Sequence, residues 1–159
     1  MKNRLATFAI VLLVLLTAAS LQPVMAQDNT PTNPAAKGMP VRSMIELGSV
    51  YTNIYDITIT VLDTVRGKET MERLKAASPD VKAPAAGFDC LLARVKFELK
   101  GRYVSDTIPL DLGKEPLQWV ALSGTDLTEY ERPSVAVPKP ALEGRVKPGE
   151  SMEGWRLLK

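Results

Sequence analysis

The run Phe88-Asp89-Cys90-Leu91-Leu92-Ala93-Arg94-Val95-Lys96-Phe97-Glu98-Leu99 tells what kind of core this chain builds. From Leu91 onward it alternates, with Leu91, Ala93, Val95, Phe97 and Leu99 on one face and Arg94, Lys96 and Glu98 on the other. A period of two sustained over that many residues marks a β-strand with one buried face and one wet face. A helix would scatter the same apolar side chains around its whole circumference. The core is therefore expected to be a sheet, with this strand near its centre.

Toward the N-terminus, Tyr55 to Val61 alternates in the same way. Tyr55, Ile57, Ile59 and Val61 point inward, and Asp56, Thr58 and Thr60, the last two good β-formers, point outward. This strand is expected to run to about Val65 and stop at Arg66-Gly67-Lys68. Lys68 to Ala77 consists of strong helix formers, with Met71 and Leu74 three apart on one narrow apolar face. So short a helix is unstable alone and must lie against the sheet or cap its end. Pro79 to Gly87 reads as an extended connector.

Toward the C-terminus, Gly101-Arg102 marks a turn, and Tyr103 to Leu112 is expected to hold a short edge strand, because Pro109 removes a ladder hydrogen bond. Leu117 to Leu122 and Leu127 to Tyr130 form an expected hairpin around Ser123-Gly124-Thr125-Asp126. Pro133 to Pro140 reads as a loop of polyproline character. Lys147-Pro148-Gly149-Glu150 has the Pro-then-Gly chemistry of a type II turn, and Ser151 to Leu158 reads as a final strand containing Trp155. Short strands, frequent turns and one small helix predict an all-β chain folded as a β-sandwich. The last strand is expected to be an edge, or the sandwich to lack a terminal strand.

The first 26 residues have the three parts of a secretory signal. Lys2 and Arg4 open it, Ala6 to Ala19 is apolar except for Thr7 and Thr17, and Val24-Met25-Ala26 follows Pro23. Cleavage is expected after Ala26. The apolar run is shorter than the roughly 20 residues that span a bilayer, so membrane contact is expected only through an uncleaved leader. A lipoprotein needs a cysteine at the cleavage point, where this chain has Gln27. Residues 27–44 are read as a flexible linker and residues 45–159 as the folded domain.

The whole chain has 20 basic and 18 acidic residues, and the leader holds two of the basic ones and no acid, leaving 18 of each. A balanced surface gives no electrostatic reason to expect nucleic acid as a partner. The single cysteine, Cys90, cannot form an internal disulfide and is expected to be a small buried hydrophobe.

Three stretches together resemble a known family. They are Arg66-Gly67-Lys68 with the short helix, Pro84-Ala85-Ala86-Gly87-Phe88-Asp89-Cys90-Leu91-Leu92, and Lys147-Pro148-Gly149-Glu150-Ser151-Met152-Glu153-Gly154-Trp155. Their order is similar to the DUF4352 group, exported bacterial domains with a telokin-like, immunoglobulin-like sandwich. The resemblance covers roughly residues 45–159, and the last stretch is its most specific part. It implies an immunoglobulin-like fold and an export route, and it carries over no catalytic residues. Family members usually continue past the Trp strand into a further short strand.

Histidine is absent, which removes the Ser-His and Cys-His nucleophile pairs, the commonest general base and imidazole-dependent zinc sites. There is no phosphate-binding or dinucleotide-binding glycine motif. Met39, Met44, Met71 and Met152 are too dispersed for a copper site. No cofactor, metal or catalytic residue is assigned. Glu129 and Glu131, with Asp126 nearby, are the one acidic group that could do acid/base work or hold calcium, and solvated carboxylates beside a turn explain them more simply. Trp119 and Trp155 are expected in the core.

The binding candidates are Val135, Ala136 and Val137, small apolar side chains expected to be exposed on the proline loop, and Leu157 on the last strand. The function expected is an exported, non-catalytic binding or interaction domain of the cell envelope or extracellular space. Its expected partner is another envelope or extracellular protein, with self-association through an edge strand as a further expectation. The alternative is a secreted hydrolase or calcium-dependent protein using the acidic group near Glu129.

Overall fold

The alternating strand does lie inside a sheet, hydrogen-bonded on both sides. The computed structural model describes residues 30, 33–48, 52–114, 117, 119–120, 122, 129 and 135–158. In chain order its elements are β1 (Pro40–Leu47), β2 (Asn53–Arg66), α1 (Gly67–Ala77), β3 (Leu91–Gly101), β4 (Leu110–Asp111), β5 (Arg145–Val146) and β6 (Ser151–Leu158). β1, β2, β3 and β6 form an antiparallel sheet in that order, and β4 pairs with β5 in a two-stranded ribbon. The expected leader, and the first residues of the expected linker, lie outside the described residues.

One face of the sheet behaves as its period-two pattern requires. Ala93, Val95, Phe97 and Leu99 of β3 are buried, beside Tyr55 and Ile57 of β2. Leu110, Leu112, Leu142 and Val146, from the ribbon and its flanks, cover this face and complete the first cluster. Trp119 packs edge-on to Phe97 at 6.3 Å between ring centroids and donates its Nε1–H to the Leu112 carbonyl (3.0 Å), so its polar atom is satisfied where its ring is half-buried.

The opposite face is not uniformly wet. At one end α1 lies on it, and Val65, Leu74, Cys90, Leu92, Trp155 and Leu157 form a second buried cluster. A register shift between Val61 and Asp63 makes this possible. The extra residue at Leu62 reverses the phase of β2, so Val65 pairs with Leu92 on the helix side and not with the face that Val61 occupies. The helix presents Thr70 and Leu74 to the sheet, both fully buried, and Met71 beside them. The Arg73 guanidinium sits 5.0 Å from the centre of the Trp155 ring, and Glu69 accepts from it one turn back (2.7 Å).

Several expectations change at this level. Cys90 is buried, as its apolar neighbours suggested, but β3 begins one residue after it. The stretch read as linker up to residue 44 ends in five residues of β1, which starts at Pro40. Between Tyr103 and Leu112 only Leu110–Asp111 is strand. Of the expected hairpin, the described residues include an antiparallel bridge between Leu122 and Glu129, and most of the rest lies outside them. The turn before β6 has the expected form: Gly149 has φ +89°, and the Glu150 N–H donates to the Lys147 carbonyl (2.9 Å). The whole is a mostly-β structure with one short helix.

Candidate functional site

Three of the four residues singled out from the sequence converge. Val135, Ala136 and Leu157 line a shallow recess of about 490 Å³ with Leu74, Val81 and Cys90, between the end of α1 and the connector into β3. Val137 does not line it. The side chains are less available than the loop composition suggested. Val135 and Val137 are half-buried against the second cluster, and only Ala136 is exposed. Leu157 is 7% exposed, because the even-numbered face of β3 at this end is roofed by the helix. Glu129 is exposed, while Asp126 and Glu131 lie outside the described residues. Among the described residues no three acidic or cysteine side chains converge as metal ligands would.

The edge of β6, expected to be uncovered, is closed at its middle. The Trp155 N–H donates to the Pro140 carbonyl (2.8 Å), and the Leu142 N–H donates to the Trp155 carbonyl (3.0 Å). This crossing presses on Gly154. A Cβ there would fall on the backbone of Ala141 and Leu142, with the Ala141 oxygen only 2.6 Å away. The glycine is required for the close approach of two backbones.

The other edge of the sheet is β1, a strand the sequence reading missed. In an antiparallel ladder the backbone groups of alternate residues point to opposite neighbours. The Arg102 N–H bonds the Ile54 carbonyl (3.1 Å), which directs the even-numbered residues of β2 toward β3. Odd-numbered Tyr55, Ile57 and Ile59 therefore bond to Ile45, Ser43 and Val41. That leaves the N–H and C=O groups of Arg42, Met44 and Glu46 directed away from the sheet. These three residues are exposed, and among the described residues nothing is hydrogen-bonded to their outer side. Val41, Ile45 and Leu47, on the first-cluster side, are half-buried.

Beside this edge, the even-numbered face of the sheet carries a concave surface of about 920 Å³ lined by Arg42, Asp56, Thr58, Glu98, Lys100 and Glu150. Two of its carboxylates are paired: Arg102 donates from Nε (2.9 Å) and Nη2 (2.7 Å) to Asp56 Oδ1, and Lys96 donates to Glu98 (2.9 Å). Outside its lining, Arg94 pairs with Glu153. The Arg102 hydrogen bonds hold the Asp56 carboxyl below its ordinary value, and the same contact raises the Arg102 guanidinium. At the bulge, the Thr64 N–H donated to Asp63 (2.8 Å), with Lys37 beside it, lowers that carboxyl as well. No family model, curated protein or solved structure matches this chain.

Proposed function

We propose that this chain is an exported, non-catalytic interaction module, of the immunoglobulin-like kind that its Lys147–Trp155 stretch resembles, and that it engages its partner by strand addition at β1. The carrying observation is the outward-directed backbone of Arg42, Met44 and Glu46 on an exposed edge. Such an edge offers main-chain hydrogen bonds to an extended segment, and alternate side chains then select which segment fits. Strand addition uses main-chain hydrogen bonds and needs no catalytic side chain, in keeping with a chain that has no histidine. The secretory pattern of residues 1–26 supports a partner in the envelope or outside the cell.

The test uses Met44→Pro. The Met44 N–H points outward, so proline removes an edge donor while leaving the bonds to β2 in place. The full-length sequence is expressed with its own leader and the purified product is immobilised and exposed to envelope extract. A partner held by the parent and by Met44→Ala, but lost with Met44→Pro at unchanged circular dichroism, is the expected result. A hydrolytic activity that vanishes on Glu129→Gln, with no partner held, would overturn the reading.

A further inference from the structure

We infer that the occupant of the β1 edge is the β1 edge of a second copy of this chain, in antiparallel register centred on Met44; this rests on the reading of β1 as a strand-addition edge. The argument is one of self-complementarity. The outward-directed residues are Arg42, Met44 and Glu46, with opposite charges placed symmetrically about Met44. A two-fold axis through Met44 sets Arg42 of each copy opposite Glu46 of the other, twice. Met44 then faces Met44 of the second copy across a hydrogen-bonded pair. On the opposite face the same register brings Val41 against Leu47 of the second copy and Ser43 against Ile45, adding apolar contact beside the first cluster.

Neighbouring registers lose this match. A slip of two residues in either direction leaves Arg42 or Glu46 opposite the uncharged Met44. A slip of four sets Arg42 against Arg42, or Glu46 against Glu46, and like charges directly opposite are destabilising. Charged residues on an edge ordinarily discourage pairing. Here their symmetrical placement favours an antiparallel partner that reads basic then acidic from its own N-terminus, as this strand does. The ladder also has defined ends. Pro40 has no N–H to give, and Gly48 opposite it turns away at φ +111°. The interface is seven residues long on each copy, from Val41 to Leu47, and joins two four-stranded sheets into one of eight strands.

Sedimentation equilibrium of the purified full-length product across a wide concentration range tests this. The parent is expected to dimerise, and Arg42→Glu and Glu46→Arg each to weaken the dimer by roughly tenfold or more, since two attractive pairs become repulsive. The double variant Arg42→Glu/Glu46→Arg is expected to recover parental dimerisation. An equimolar mixture of the two single variants is expected to form the heterodimer, because each then supplies the charge the other needs. Met44→Cys is expected to form a disulfide-linked dimer on mild oxidation, since facing Cα atoms of a hydrogen-bonded pair lie about 5.5 Å apart. A monomeric parent at submillimolar concentration, or single variants that weaken the dimer without rescue in the mixture, overturns the inference. Capture of a different envelope protein by a monomeric parent, lost with Met44→Pro, would leave strand addition standing and assign the edge to that protein. Loss of both dimer and capture would remove the strand-addition reading itself.

Discussion

Replacing Gly154 with alanine probes the crossing that closes the β6 edge, and its effect can be worked from the structure. The added methyl would overlap the Ala141 and Leu142 backbone, with the Ala141 oxygen at 2.6 Å, so the crossing segment must lift. Lifting it stretches the two hydrogen bonds between Trp155 and the Pro140 and Leu142 backbone, worth about 1 kcal/mol each. It also withdraws Leu142, which is 1% exposed, from the first cluster, adding about 1–2 kcal/mol. Against this, alanine restricts the unfolded chain by about 0.5–1 kcal/mol relative to glycine. The net destabilisation is about 2–3 kcal/mol, which lowers the urea midpoint by roughly 1–2 M for a domain of this size. Gly87→Ala is the reference. Gly87 has φ +86° but open space around it, so its substitution costs only the left-handed backbone term of about 1–2 kcal/mol. Equilibrium urea unfolding and amide hydrogen exchange supply the readout. The midpoint of Gly154→Ala should fall below that of Gly87→Ala, and the Trp155 and Leu142 amides should exchange faster. An unchanged midpoint with full protection at both amides would refute the close crossing.

Two further outcomes follow from the polar interior and the charged face. Asp106 is buried at 3% exposure and accepts from the Ile54 N–H (3.2 Å) and the Tyr103 N–H (2.7 Å). Asp106→Leu therefore strands two donors and should cost roughly 2–4 kcal/mol by urea unfolding, with faster exchange at the Ile54 and Tyr103 amides as its mark. The Asp56 carboxyl is held low by the Arg102 hydrogen bonds, so its contribution is present above the unfolded value of about 4 and is lost as pH falls through the lower folded value. Arg102→Gln should raise the Asp56 titration midpoint followed by carboxyl NMR and flatten the acid limb of the stability profile; an unmoved midpoint would contradict the pairing.

What the sequence made legible was whatever repeats over many residues. β3 and β2 showed their period of two, α1 showed strong propensity ended by Ser78-Pro79, and the Pro-Gly pair announced its turn. The rest depended on single residues or on tertiary cover. The bulge at Leu62 leaves no local mark, yet it moves Val65 to the helix side and creates the second cluster. Val135 and Val137 lie in a proline-rich stretch and read as loop residues, but the cluster around Leu157 takes them in. β1 was obscured by Pro40, Arg42, Ser43 and Glu46, although Val41, Ile45 and Leu47 still keep the alternation. An edge strand has only one neighbour to pack against, so its apolar face is thinner and its pattern weaker.

The unequal treatment of the two sheet edges also bears on what kind of assembly this sheet can support. A sheet open at both edges could add copies without limit, since head-to-tail contacts that do not close generate fibres. Here the backbone crossing at Gly154 occupies the middle of β6 through Trp155, so that edge has no continuous row of groups to offer. β1 is the edge left for pairing, and a pairing of β1 with itself uses the same surface on both copies. Such an isologous contact is complete at two copies. In the proposed dimer the glycine that lets Ala141 and Leu142 cross β6 is thus as much a part of the assembly logic as the charges on β1. There one edge supplies the contact, and the other stops it from propagating.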